Sequence, residues 1–149
     1  MAVTRRPLAE LKVLAQPEMI ATAKRTATSL GSLVGFSLED LDELNIALAQ
    51  ACDSAIHAGR EAWGDEATLK LTFWATEKGM EVDVQAGHPR VTALHPGPAA
   101  VPVGRIAARD AAFDRLAHEM IRCFVDDFRP SVAPNQGRVR FRLVKYLVG

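Results

Sequence analysis

Residues 41–58, Leu-Asp-Glu-Leu-Asn-Ile-Ala-Leu-Ala-Gln-Ala-Cys-Asp-Ser-Ala-Ile-His-Ala, decide the fold that this sequence predicts. Apolar side chains recur every three or four residues, at Leu44, Ala47, Leu48, Ala51 and Ala55. This period is typical of an amphipathic helix with one face on a core. Gln50 and Ser54 are four residues apart, so they lie one above the other on a different face, with His57 just beyond. Small alanines flank both polar residues, and we therefore expect a ligand or another backbone to approach this face closely.

The composition predicts an ordinary globular domain that spans residues 1–149. Of the 149 residues, 48% are hydrophobic and 24% are charged, which allows the burial of a single core. The 18 basic and 18 acidic side chains give a formal net charge of +0. This balance argues against a nucleic acid or a membrane surface as the main partner, because both attract excess positive charge. The sequence has neither an apolar run of about 18 residues nor a visible signal peptide, so we expect a cytoplasmic protein.

The positions of the cysteine and histidine residues do not predict a metal site. Cys52 and Cys123 lie beside apolar residues in predicted helices, so we interpret both as small core residues rather than a disulfide or a metal pair. A zinc site made of His88, His95, His118 and Cys123 fits no known ligand spacing.

The remaining sequence predicts a sheet with helices on one face. The predicted order is a strand at 8–15, a helix from Ile20 to Val34, the helix over 41–58, strands at 67–75 and 80–86, a loop at 87–105, a helix from Ile106 and a final strand after Gly137. Apolar and polar residues alternate on both sides of the turn at 77–79, which is the clearest hairpin signal. The loop at 87–105 is rich in proline and glycine and longer than a usual connection. This order predicts an α+β two-layer sandwich with a mostly antiparallel sheet.

Local patterns give further expectations about the helices. Ser37 is placed to cap the helix over 41–58, and Gly59 and Gly64 indicate its end. Asp53 and His57, four residues apart, can form a pair on its surface. In the last predicted helix the residues expected on the inner side are Phe113, Leu116, Met120 and Phe124. Behind that helix, the prolines expected to interrupt regular structure are Pro130 and Pro134.

Residues 41–58 resemble the first nucleotide-binding helix of the GHKL (histidine kinase-like) ATPases, and most closely that of the bacterial anti-sigma-factor serine kinases. The pattern there runs Ser-Glu-Ala-Cys-Thr-Asn-Ala-apolar-x-His-Ala. Residues 119–128 resemble the helix-to-strand passage of these kinases, which ends in a similar pair of acids, and residues 137–147 resemble their last strand. The resemblance covers residues 8–148 and implies a Bergerat-like sandwich, with the loop at 87–105 in the place of the ATP lid.

The resemblance also implies a nucleotide site at Gln50, Ser54, Ala86 and Gly87. In the family an acid at the first position acts as a general base or holds a water, an amide at the second binds Mg²⁺, and an Asp at the third reads adenine. That Asp opens the first glycine-rich box, Asp-x-Gly-x-Gly, which would fall at residues 86–90, where only Gly87 lies nearby. Gln50 cannot accept a proton, the Ser54 hydroxyl is shorter than the amide, and Ala86 makes no hydrogen bond. The second glycine-rich box would fall at 111–117, where there is no glycine. We therefore expect a degenerate site with no catalytic residue and no metal ligand, no cofactor, and ATP with Mg²⁺ only if the site is functional.

These features predict an anti-sigma-factor-like protein of transcription regulation and stress response. Its partner would be a sigma factor or an anti-sigma antagonist, and the resemblance implies a homodimer. The first alternative is an active serine/threonine protein kinase that phosphorylates such an antagonist with ATP and Mg²⁺. The second is a module that keeps the pocket for another small molecule.

Two surface features bear on partners. Arg138, Arg140 and Arg142 alternate with apolar residues and form a basic row on one strand face. Such a row is a solvated sheet face, a contact for an acidic partner or a contact for a nucleic-acid backbone. Trp63 and Trp74 are candidate anchors for a partner, because aromatic residues are enriched at interface hot spots.

Overall fold

The computed structural model describes residues 4–88, 108–133 and 138–147, which form five strands and three helices. In chain order these are β1 (Arg5–Leu14), α1 (Met19–Val34), α2 (Leu38–Trp63), β2 (Thr68–Thr76), β3 (Gly79–Gly87), α3 (Ala108–Phe124), β4 (Asp127–Ala133) and β5 (Arg138–Tyr146). A single 3₁₀ turn, Gly64–Glu66, connects α2 to β2. No helix in these described ranges is long and apolar enough to cross a membrane.

The five strands form one sheet in the order β1-β2-β3-β5-β4, and all neighbouring strands are antiparallel. Their register aligns apolar residues across the centre, where Leu71 is opposite Val84 and Val84 is opposite Phe141. All three are buried against the helices. The alternate strand positions carry mostly polar and charged residues, so the second face of the sheet is open. The predicted α+β two-layer sandwich is confirmed.

Helix α2 is the central element of the helical layer. It contacts β2, β3 and β5, with α1 and α3 packed beside it. The five apolar residues that predict the helix are all buried. Ser37 caps its first turn, since its hydroxyl accepts a hydrogen bond from the Asp40 N–H at 3.1 Å. Gly64, with a φ of 61°, ends the helix, as expected. The expectation that Gly59 also marks the end is wrong, because Gly59 lies within the last turns of α2.

Two expectations for the C-terminal part of the chain are wrong. Pro130 does not interrupt regular structure but lies within β4, a strand the sequence did not predict. Strand β4 is an edge strand, where a residue without an N–H is tolerated. The inner side expected for α3 is also wrong in part: Leu116 and Met120 are 65% and 45% exposed, and Ile121 is fully buried in their place. Phe124 packs against the core, as expected.

Helix α3 turns this other face inward because of the partners it meets. Ile121 joins the core with Val125 and Phe128, and His118 packs edge-on against Phe128. Cys123, expected in the core, is therefore exposed, whereas Cys52 is buried as expected. The side chain of Phe113 and the position of Pro134 lie outside the described residues.

Two predictions on domain organisation stay predictions. Apart from Gly87 and His88, the lid-like loop at 87–105 lies outside the described residues. The described strands and helices share one hydrophobic core. That a single domain spans residues 1–149 stays a prediction.

Candidate functional site

Gln50 and Ser54, which were singled out from the sequence, lie with Glu43 on the flank of α2 that faces α3. Glu43, Gln50 and Ser54 are seven and four residues apart, so they share one side of the helix. Glu43 reaches the ammonium group of Lys145 at 2.6 Å, and this group also donates to the carbonyl oxygen of Phe124, the last residue of α3, at 2.9 Å. The same flank therefore carries Gln50 and Ser54, both half-buried, toward the side of the molecule where α3 lies.

The end of β3, which is the second part of the candidate site, lies directly beneath α2. Ala86 is buried. A Cβ atom placed on Gly59 would lie 3.1 Å from the Cβ atom of Ala86 and 3.5 Å from that of Ala67. The absence of a side chain at Gly59 thus lets the backbone of α2 approach β3 closely. At this point Ala86 contributes only a methyl group to the site, and Gly87 lies opposite Thr68 of β2.

The two parts of the site are well separated along α2. Gln50 and Gly59 are nine residues apart, which corresponds to a rise of about 13 Å, or roughly 2.5 turns. Ser54 lies between them. A single ion cannot contact Gln50 and Ala86 together, whereas an extended ligand can. The structure therefore brings Ala86 and Gly87 close to the C-terminal half of α2 and leaves Gln50 at the far end.

His88 is a residue of this region that the sequence analysis did not assign to the site. His88 follows Gly87 in the chain and occupies a position where the resembling kinases carry a glycine of their first glycine-rich box. Its side chain is buried. Its Nε2 atom lies 2.7 Å from Oε2 of Glu66, and its ring centroid lies 6.1 Å from that of Trp63. A buried imidazole at a glycine position holds the end of β3 against the turn after α2. The pairing connects residues 22 positions apart, so no local sequence signal points to it.

The side chains on and beside this flank of α2 differ in their chemical character. Gln50 and Ser54 are neutral, and the nearby thiol of Cys52 is inert, because burial, with a smaller contribution from Asp53, raises its pKa to about 12. The predicted pair of Asp53 and His57 is wrong: Nε2 of His57 lies 3.0 Å from Glu61, one turn further along α2. This pair is at the surface, where it contributes little to stability.

The described residues also hold no group of three or more His, Cys, Asp or Glu side chains able to bind a metal ion. Among the histidines of the conceivable zinc site, His118 packs edge-on against the rings of both Phe128 and Phe141, with centroid distances of 5.3 and 5.6 Å. His88 pairs with Glu66, and His95 lies outside the described residues.

Comparison with known proteins relates the chain to bacterial serine-protein kinases named RsbW. It is 30% identical over 78 residues to RsbW of Bacillus pumilus (strain SAFR-032), covering 52% of this chain and 48% of the relative. It is 33% identical over 76 residues to RsbW of Bacillus subtilis (strain 168), covering 50% and 46%. No family model matches the chain. The matches span about half the length of these relatives, and they confirm the resemblance to the anti-sigma-factor serine kinase group.

Proposed function

We propose that this chain is an anti-sigma-factor-like regulatory protein that acts by binding a protein partner and whose nucleotide site is degenerate. The partner is a sigma factor or an anti-sigma antagonist. The kinship to the RsbW serine-protein kinases supports the regulatory class. The two-layer sandwich, with α2 at its centre, provides the scaffold on which the resembling kinases build their site.

The observation that carries the proposal is the neutral set of side chains at the site. Gln50 supplies an amide where the resembling kinases carry an acid, and an amide cannot serve as a general base. Ser54 supplies a hydroxyl where they carry a metal-binding amide, and Mg²⁺ demands near-ideal octahedral ligation. These residues do not fit ATP with Mg²⁺ as the resembling kinases hold it.

The adenine end of the site agrees with this interpretation. The side chain of Ala86 is a buried methyl group packed against α2, so it offers no hydrogen bond to a base. His88 replaces a glycine beside it with a buried ring paired to Glu66. Glycine-rich loops bind phosphates through exposed backbone N–H groups, and a bulky side chain restricts that approach.

Without ATP, the protein lacks a nucleotide switch between partners. A ligand shifts only those equilibria in which it binds the two states unequally. Regulation then comes from competition between protein partners or from changes to the partner itself. The homodimer, the cytoplasmic location and the single-domain organisation remain part of this proposal, as predicted from the sequence.

The active serine kinase is the second candidate, because the relatives carry that activity in their name. To separate the two, the tagged chain is used to capture partners from its native cell extract, with and without ATP and Mg²⁺. We expect equal recovery of a sigma factor or of a small antagonist domain under both conditions. ATP-dependent recovery, or transfer of label from γ-labelled ATP to a serine of the partner, would overturn the proposal.

A matched variant sharpens this test. The double substitution Gln50→Glu and Ser54→Asn returns the acid and the amide of the family pattern on a half-buried helix flank. We expect the variant to keep its fold and its partner, because neither position belongs to the buried stripe of α2. A loss of folding, measured by urea denaturation, would mean that this flank is part of the core and that the site is wrongly assigned.

A further inference from the structure

The open face of the sheet carries a depression that the proposed function does not use. Its volume is about 370 Å³. The residues that line it are Arg5, Thr76, Lys78, Glu81, Asp127, Arg129, Arg142, Val144 and Tyr146. It lies on the face opposite to the helices, and so on the other side of the sheet from Gln50 and Ser54.

The floor of the depression is apolar and its rim is charged. Val144 lies between Glu81 of β3 and Asp127 of β4 in the strand register, and it is only 7% exposed although it faces away from the helices. Tyr146, two residues further along β5, is 40% exposed and adds an aromatic wall. Long basic side chains on the rim cover apolar surface with their stems and keep their charged ends in water.

The rim of the depression carries more positively charged side chains than carboxylates. Four cationic side chains line the depression, against two carboxylates. Arg129 is directly opposite Arg142 in the register of β4 and β5, an arrangement that costs free energy when like charges meet. Arg142 shares the buried carboxylate of Asp83 with Arg140. Within the described residues, no carboxylate pairs with Lys78, whose ammonium group lies 5.9 Å from the Tyr146 ring.

The remaining ion pairs of the rim differ in how exposed they are. Arg129 contacts Asp127 at 3.0 Å, but its side chain is 72% exposed. Arg5 contacts Glu81 at 3.1 Å, and its guanidinium group lies over the Trp74 ring, 4.7 Å from the ring centroid. Trp74, a predicted anchor for a partner, is therefore covered by a cation. An exposed pair such as Arg129 with Asp127 contributes at most about 1 kcal/mol, so a carboxylate from outside can replace Asp127 at little cost. The Glu81 side chain, by contrast, is only 14% exposed.

We propose that this depression is a docking site for an acidic segment of a protein partner that carries one apolar side chain. The apolar side chain would lie on Val144 and Tyr146, and the flanking carboxylates would pair with Lys78, Arg129 and Arg142. A second copy of this chain fits less well, because an isologous contact through this face would bring the same cationic rims together. The inference depends on the charges of the sheet alone and not on the identity of the partner or the state of the nucleotide site.

The test uses the full chain and a fluorescein-labelled peptide of alternating Asp and Glu with one central Leu, followed by fluorescence anisotropy. The double variant Lys78→Gln and Arg129→Gln removes two exposed charges from the rim without breaking a buried contact. The control variant Lys24→Gln and Arg25→Gln makes the same change of charge on the exposed surface of α1. We expect the rim variant to weaken binding roughly tenfold, since each exposed charge contact is worth a factor of a few.

The control variant should bind as tightly as the unmodified chain, and raising the salt concentration from about 0.05 M to about 0.3 M should weaken binding, because salt screens exposed charges. Four outcomes would overturn the proposal. These are no binding of the peptide or equal weakening in both variants, tighter binding of a single-stranded oligonucleotide of the same charge, and a dimer in sedimentation that the rim variant dissociates. The oligonucleotide result would assign the face to nucleic acid, and the sedimentation result would assign it to a second copy.

Discussion

Neutralising Glu43 is predicted to destabilise the fold more than removing its partner, Lys145. Lys145 lies near the C-terminal end of β5, and its side chain is only 8% exposed. Its ammonium group binds Glu43 and the Phe124 carbonyl oxygen. The Glu43→Gln variant leaves this buried charge without its counter-ion. Leaving a charge of a fully buried pair unpaired costs about 3–5 kcal/mol, and an exposed pair is worth about 1 kcal/mol or less. Since Glu43 is 37% exposed, we expect an intermediate loss of about 1–3 kcal/mol.

The Lys145→Met variant removes the charge together with its desolvation cost and keeps a similar side-chain volume. Glu43 is then left on a partly hydrated flank, so we expect a loss within about 1.5 kcal/mol. Urea denaturation followed by the fluorescence of Trp63 and Trp74 measures both losses. The variant that combines Glu43→Gln with Lys145→Met should be about as stable as Lys145→Met alone. A greater loss for Lys145→Met than for Glu43→Gln would refute the reasoning, since it would mean that the lysine acts mainly through its own packing.

Three further predictions follow from individual side chains. Gly79→Ala should cost about 1–3 kcal/mol in urea denaturation, because a Cβ atom there would overlap the carbonyl oxygen of Lys145; an unchanged midpoint would contradict this contact. A thiol reagent should modify Cys123 rapidly and Cys52 only after unfolding, because burial raises the pKa of Cys52 to about 12; two fast thiols in the native protein would contradict it. Burial lowers the pKa of His118; Asp114 raises it by a smaller amount and Arg122 lowers it further, so the unfolded chain binds a proton more readily. Stability should therefore decrease as the pH falls below about 6.5, and His118→Gln should reduce that slope between about pH 7 and pH 5.

The sequence predicted the fold well where one periodic pattern dominates. In α2 the apolar residues repeat over many turns, and in β2 and β3 the alternation is regular on both sides of a short turn. Each pattern allows only one face to be buried, so local and tertiary preferences agree. The α+β sandwich followed from the order of these elements.

The sequence failed where the pattern was short or a single residue was taken as decisive. In α3 Leu116 and Met120 offered one apolar stripe and Ile121 another, and contacts with Val125 and Phe128 determined which one is buried. Pro130 predicted an interruption, but edge strands tolerate proline, and the position of β4 in the sheet is not visible in its sequence. Edge position is a property of the topology.

The candidate site was predictable only in part, for a related reason. Gln50 and Ser54 could be placed on one flank of α2 from their spacing alone. The contact of Gly59 with Ala86 and the pair of His88 with Glu66 both join segments far apart in the chain. Such contacts depend on how the helix crosses the sheet, which the spacing of residues does not determine.

Calorimetric titration of the chain with ATP and Mg²⁺ tests the central claim most directly. The claim is that the neutral residues Gln50 and Ser54, with Ala86 and His88 at the other end of the site, do not support tight nucleotide binding. We expect no binding heat in the micromolar range, and no shift in Tm at millimolar ATP. A ligand present at 100 times its Kd adds about 2.7 kcal/mol to the free energy of unfolding, which such a shift would reveal. Saturable binding with a micromolar Kd that requires Mg²⁺ would contradict the account and favour an active kinase.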